Sequence, residues 1–198
     1  MKKLLSLILL LSFTIKAQEI KIGTQTWTSK NLDVTKYRNG DAIPQVQDKN
    51  AWAKLKTGAW CYYENNTANG TTYGKLYNWF AVNDTRGLAP KGYHIPTDAE
   101  WTILTDNLGE EAGTKMKSTS GWQNNGNGTN TSGFSGLPGG YRYDDGFFYY
   151  VGANGNWWSS SETNTDYALS RSLYNSNGDV NRDNSNKRYG FSVRCLRD

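Results

Sequence analysis

The hydrophobic pattern opens on one long apolar run that is never repeated. After Met1-Lys2-Lys3 come Leu4 to Leu11, broken only by Ser6, then Ser12-Phe13 and Ile15-Lys16-Ala17-Gln18. A basic start, about 10 apolar residues and a small residue at a cleavage position are the three parts of a secretory signal. A membrane-spanning helix needs about 20 apolar residues, so the run is too short for one. A buried first helix or a membrane anchor is the competing reading. The expectation is a signal peptide over 1–17, cut after Ala17, and a single domain over 18–198. No second apolar stretch follows, so no membrane span is expected after cleavage.

Downstream the periodicity changes twice. Short alternating pieces at Ile20-Lys21-Ile22 and Gln25-Thr26-Trp27-Thr28 predict strands, 33–57 reads as irregular, and the aromatic run Ala59–Tyr63 predicts another strand. Leu76, Trp79, Phe80 and Ala81 fall on one helical face and predict a helix over Gly74–Val82. A second helix is better marked. Thr97 followed by Glu100 forms a capping box, Trp101, Leu104 and Leu108 keep helical spacing, and Gly109 offers a left-handed stop. A short third helix is expected within 110–117.

Beyond Ser120 the texture is β. A Gly/Asn loop at Trp122–Thr131 precedes predicted strands at Gly139–Tyr143, Phe147–Val151, Asn156–Ser161, Tyr167–Tyr174, Asp179–Asn184 and Arg188–Leu196. Asp144-Asp145-Gly146, Asn154-Gly155 and Asn177-Gly178 are the turn signals between them. Helices first and hairpins second give an α+β class with segregated elements.

Composition supports folding. A mean hydropathy of −0.74 is low, but eight Trp, 13 Tyr and six Phe supply the core material, and each ring buries roughly 150–250 Å². Three of the 22 basic residues, Lys2, Lys3 and Lys16, lie in the leader, which leaves 19 against 18 acidic ones. Nucleic-acid binding needs a concentrated basic face, and such a balance offers none. Cys61 and Cys195 are the only cysteines. An even pair in an exported chain reads as a disulfide, worth on the order of 4–5 kcal/mol for a loop of about 135 residues. Two buried free thiols are the other reading.

Candidate chemistry is sparse. His94 is the only histidine, which rules out a zinc site of the usual three or four nitrogen and sulfur ligands; a structural role is the simpler reading. Asp179-Val180-Asn181-Arg182-Asp183 alternates oxygen side chains, but an EF-hand needs Gly and Glu where Asn184 and Gly190 stand. The run fits the solvent face of a strand. Adjacent Trp157 and Trp158 must point to opposite faces of a strand, so at most one is expected in a core, leaving the other to a loop layer or a ligand. Packing of both under long loops is the favoured reading, and Trp157 or Trp158 as a ligand-facing ring is the weaker one. Tyr143, Asp144 and Asp145 at a hairpin tip are exposed candidates for the same surface. No residue is assigned a catalytic or metal-binding role.

Several pieces together resemble a known family: Trp60-Cys61-Tyr62-Tyr63, Tyr73–Trp79, Gly92–Thr97 with Glu100-Trp101, Gly133-Phe134-Ser135, Leu137–Arg142, Trp157–Glu162 and Gly190–Cys195. In this order they are similar to the Fibrobacter succinogenes major paralogous domain of exported Bacteroidetes-type proteins. That family in turn resembles the formylglycine-generating enzyme superfamily with its C-type-lectin-like fold. The resemblance implies two main helices beside a looped, mostly antiparallel sheet. It implies no activity, since formylglycine generation needs paired reactive cysteines and Cys61 and Cys195 occupy structural-looking positions. The Glu-Pro-Asn and Trp-Asn-Asp signatures of calcium-dependent lectins are absent, so calcium has no recognised motif and no cofactor is expected. The leading expectation is an extracytoplasmic, non-catalytic binding or surface module for a glycan or protein. An enzyme of that superfamily, a carboxylate-based hydrolase, or a structural filament component are the alternatives.

Overall fold

The computed structural model describes residues 18–198; the expected signal peptide lies outside them. Glu19–Ile22 (β1) and Gln25–Thr28 (β2) form a hairpin across a two-residue turn in which Gly23 takes φ +59°. Trp60–Cys61 (β3) pairs with Leu76–Tyr77 (β4), and Tyr93–His94 (β5) pairs with Leu196–Arg197, the last strand. Gly139–Arg142 (β6), Phe148–Val151 (β7), Asn154–Glu162 (β8), Tyr167–Tyr174 (β9) and Asn181–Asn186 (β10) make a sheet of order β10-β9-β8-β6-β7. Leu196–Arg197 (β11) completes a second sheet of order β1-β2-β11-β5, so both ends of the described chain share one sheet. Apart from the parallel contact of Gly140 with Gly155, the ladders between these strands are antiparallel.

Among the described residues five α-helices accompany the sheets: Lys49–Ala53 (α1), Thr67–Tyr73 (α2), Trp79–Val82 (α3), Asp98–Leu108 (α4) and Ala112–Met116 (α5). The capping box of α4 forms as its sequence predicts. Thr97 Oγ1 accepts from the Glu100 N–H at 3.3 Å, Glu100 Oε2 accepts from the Thr97 N–H at 2.8 Å, and Gly109 takes φ +66°. Asp98 then fastens α4 to the large sheet, meeting Arg171 of β9 at 2.8 Å and Arg182 of β10 at 2.9 Å. No described helix is long and apolar enough to cross a membrane.

Three local expectations fail for tertiary reasons. The helix read over Gly74–Val82 is β4 followed by α3. Tyr77 exchanges two backbone hydrogen bonds with Phe191, at 2.8 and 3.0 Å, and Asn78 restarts the chain as the N-cap of α3. Asn154-Gly155 is not a turn but the start of β8, because the chain reverses at Gly152, which takes φ +82°. Arg188–Leu196 is mostly irregular, touching Arg142, Tyr77 and Trp157 through isolated bridges. Two helices were also not foreseen. α1 lies within the stretch read as irregular, and α2 is built from the weak helix formers Thr-Ala-Asn-Gly-Thr-Thr-Tyr. Gly70 inside α2 is required by packing: a Cβ there would meet Tyr62 Cε1 at 2.2 Å.

The expected disulfide does not form; Cys61 and Cys195 are both free and buried. Cys61 packs with Trp52, Ala59, Tyr63 and Leu76, whereas Cys195 belongs to the cluster around Tyr77, Phe191 and Val193. The backbone of Cys195 is also clamped to Thr28, whose N–H donates to its carbonyl at 2.9 Å. Burial pushes both thiols up to about 12, which keeps them protonated and unreactive.

Trp157 and Trp158 point to opposite faces of β8, and both are packed, so the weaker reading of one as a ligand-facing ring fails. They are 1% and 0% exposed. Trp157 joins Trp27, Trp101 and Phe134, and Trp158 joins Tyr77, Phe191 and Val193. Both faces of this strand are covered, so each indole fills a separate core. Each N–H is also consumed internally, by Asn31 Oδ1 at 2.9 Å and by the Tyr77 carbonyl at 2.8 Å. Neither ring is available to a ligand.

Candidate functional site

The remaining predicted site residues meet at the β6–β7 hairpin. Tyr143 donates its N–H to the Phe147 carbonyl at 2.8 Å, closing the turn through Asp144, Asp145 and Gly146. Asp145 Oδ1 accepts from the Phe147 N–H at 2.9 Å, an Asx turn that fixes the tip. Asp144 reaches Arg188 at 3.8 Å, and Asp145 Oδ2 accepts from the Tyr149 hydroxyl at 3.5 Å. Both carboxylates therefore sit at the edge of the tip and serve the turn first. Gly146 lies so close to α1 that a Cβ would fall 2.3 Å from the Lys49 carbonyl oxygen. The tip is seated on α1.

Around Tyr143 the structure gathers tyrosines that sequence reading did not single out. Tyr141, Tyr143, Tyr149 and Tyr150 line a shallow trough of about 230 Å³. Tyr141 is the hub, with ring centroids 6.2 Å from Tyr149, 5.8 Å from Tyr150 and 6.4 Å from Tyr143. Tyr189, from the segment after β10, backs the group, 4.6 Å from Tyr143. Density of tyrosine around one Asp-Asp-Gly turn was the available signal. Sequence alone could not show that the rings share a face.

That sharing has a specific cause. Consecutive strand residues normally point to opposite faces, yet Tyr149 and Tyr150 both contact Tyr141. Tyr150 adopts φ +63°, a left-handed conformation costly for a bulky residue, and Gly140 on β6 takes φ +62°. The distortion cancels the alternation and places both rings together, 6.1 Å apart. Strain of this kind costs on the order of 1–3 kcal/mol and concentrates where ligands are handled. Tyr150 is nevertheless 57% exposed, so the strain serves a ring that packs little. Burial, with the neighbouring tyrosines, pushes the Tyr141 phenol up to about 12, and burial, the hydrogen bond with Tyr143 and the nearby Asp144 raise Tyr189. These hydroxyls stay neutral near pH 7 and both donate and accept. The trough can stack against a ring and hydrogen-bond its substituents.

The family model described as the Fibrobacter succinogenes major domain matches residues 20–197. The chain belongs to this family. No curated protein and no solved structure matches it. In this major domain the matched region covers nearly all of the described strands, the five described α-helices and the tyrosine trough.

The lone histidine of the major domain works structurally. His94 Nδ1 meets Asp198 Oδ1 at 2.8 Å and Nε2 meets Glu100 Oε1 at 2.9 Å, so the ring ties the end of the chain to the first turn of α4. Serving two carboxylates at once requires both nitrogens to carry protons. Burial lowers the His94 pKa, but the bonds to Asp198 and Glu100 outweigh it and leave the group above its ordinary 6.5. A raised native pKa stabilises fully below the unfolded value and loses that contribution as pH rises through the native one. The stability difference between the protein and a His94→Gln variant is therefore expected to be largest near about pH 6 and to shrink toward about pH 8. Urea unfolding at both pH values checks this, and a gap that widens at alkaline pH would refute it. Among the described residues no group of three or more His, Cys, Asp or Glu side chains is placed to hold a metal ion.

Proposed function

We propose that this major-domain protein is an exported, non-catalytic binding module that recognises a glycan through the tyrosine trough of the β6–β7 hairpin. Export is supported by the three-part leader over 1–17. A lectin-like arrangement is part of the same reading, supported by the pairing of the first and last strands and by the looped, mostly antiparallel large sheet. The observation that carries the proposal is Tyr150. A strained backbone holds an exposed ring beside three others, which is costly for folding and useful for contact. Sugars present flat C–H faces and a fringe of hydroxyls, and tyrosines supply rigid apolar surface with a polar end. Asp144 and Asp145 at the rim add acceptors for sugar hydroxyls. No cofactor enters the reading.

A glycan array followed by calorimetric titration of the best hit tests it. Tyr150→Ala is expected to weaken binding about tenfold or more, as for a central aromatic contact, with thermal stability unchanged within about 1 kcal/mol. An array with no signal above background would end the proposal. Turnover of a bound glycan would replace it with the enzymatic reading.

A further inference from the structure

A second cleft, separate from the tyrosine trough, has a volume of about 590 Å³ and is walled by the loop after β2, the end of α2 and the Ser135–Leu137 segment. Arg194 forms part of its lining although it is only 1% exposed. Its Nε donates to Asn31 Oδ1 at 2.7 Å, Nη1 to the Thr28 carbonyl at 2.8 Å and Nη2 to the Ser135 carbonyl at 3.3 Å. Three of the guanidinium donors are thus used, and one N–H on each terminal nitrogen has no acceptor among the described residues. No carboxylate bonds it either. The nearest acid in the lining, Asp33, is taken by Lys75, and residues 1–17 contain neither Asp nor Glu. A buried cation held by neutral oxygens and by the Phe134 ring 4.5 Å away, with no carboxylate, is incompletely compensated.

The surroundings are built rather than incidental. Ser135 is a non-glycine residue at φ +54°, and Asn130 locks it there, accepting from its N–H at 2.7 Å and donating to its hydroxyl at 2.8 Å. That strain turns the Ser135 carbonyl onto Arg194. Asn31 is held equally firmly, donating to the Tyr73 carbonyl at 2.8 Å and to Ser192 Oγ at 3.1 Å. Lys30 adds a second positive charge at the mouth, and Ser29, Thr71 and Thr72 add hydroxyls. Arg142 is a contrasting case. It is as buried, and its three nitrogens also meet backbone carbonyls, but it is enclosed between two rings, Trp52 and Phe148, where Arg194 has Phe134 at 4.5 Å, and it lines none of the clefts described for this chain.

We infer that the Arg194 cleft is a binding site for the carboxylate of an acidic sugar, with Arg194 receiving the carboxylate and the hydroxyl-rich walls receiving the ring. The volume exceeds what a bare anion fills, and the lining offers hydroxyls and amides suited to a polyhydroxylated ligand. The site stands independently of the tyrosine trough.

The test is a titration of the protein with D-glucuronate, followed through the side-chain Nε–H signals of ¹⁵N-labelled arginines. Saturable movement of the Arg194 signal at concentrations on the order of millimolar, with Arg142 unmoved and D-glucose inert, is the expected result. Thr71→Trp, which obstructs the mouth without touching Arg194, and Lys30→Glu are each expected to abolish saturation; Tyr150→Ala is expected to leave it intact. Because Arg194→Lys risks misfolding, the two rim variants carry the decision. A static Arg194 signal, an equal response to glucose, or sulfate binding as tightly as glucuronate would overturn the assignment.

Discussion

Replacing Trp158 with alanine is expected to cost about 3–5 kcal/mol of stability, and Trp157→Ala about as much. Each indole is fully enclosed, and each lies in a different core. Truncation would therefore leave two distinct cavities on either side of one strand. It would also remove one of two donors at an acceptor in each case, leaving the Tyr77 carbonyl with the Phe191 N–H and Asn31 Oδ1 with Arg194 Nε. Whole-domain stabilities run about 5–15 kcal/mol, so either variant should be visibly crippled in urea unfolding. A ligand-facing tryptophan would behave differently, losing binding while stability held. A folded Trp158→Ala protein with an unchanged unfolding midpoint would contradict the burial of that ring.

The second large effect belongs to Arg142. Its side chain is 0% exposed, lies 4.5 Å from the Trp52 ring and 4.8 Å from the Phe148 ring, and donates to three carbonyls. Nε reaches Gly146 at 2.9 Å, Nη1 reaches Val46 at 2.7 Å and Nη2 reaches Gln47 at 2.8 Å. One guanidinium thereby joins the β6–β7 turn to the segment before α1. Arg142→Met keeps much of the apolar contact but strands the Gly146 and Val46 carbonyls, while the Gln47 carbonyl keeps Asn65 Nδ2 at 3.1 Å, which puts the loss on the order of 3–5 kcal/mol. The turn it holds carries the tyrosine trough. Binding through the trough should consequently weaken together with stability, whereas Tyr150→Ala separates the two. Unfolding and titration of both variants side by side would show this, and an Arg142→Met protein with full stability would mean that the carbonyls find other partners.

Local signals were legible where the chain alone satisfies its own backbone. The capping box at Thr97 and Glu100, the β1–β2 hairpin and the strand Tyr167–Tyr174 can all be read directly from neighbouring residues. The same holds for the α+β class and for the family pieces now matched over residues 20–197. Legibility failed where a distant segment supplies the partner. Leu76-Tyr77 has helical spacing but becomes a strand because Phe191 and Trp60 are waiting beside it. The cysteine pair follows the logic of exported chains, yet the fold assigns each thiol to its own core.

The candidate site divides in the same way. Tyr143, Asp144 and Asp145 were foreseeable as a hairpin tip, because turn chemistry is a matter of four or five consecutive residues. That Tyr149 and Tyr150 join them on one face depends on a left-handed backbone at Tyr150, which no periodicity rule anticipates. Arg194 is further from reach still. In sequence it is one more basic residue near the end of the chain. Its burial, its lack of a carboxylate and its place beside a cleft arise only when Thr28, Asn31 and Ser135 converge on it.

By itself, the amino-acid order determined that this chain carries a leader-like start, folds around aromatic rings and alternates turns with short strands, since these follow from composition and from contacts between near neighbours. Tertiary structure alone decided which rings are core and which are surface, and which charges are compensated. Those outcomes depend on what lies across the fold, and a side chain's surroundings there are set by residues that can stand more than a hundred positions away.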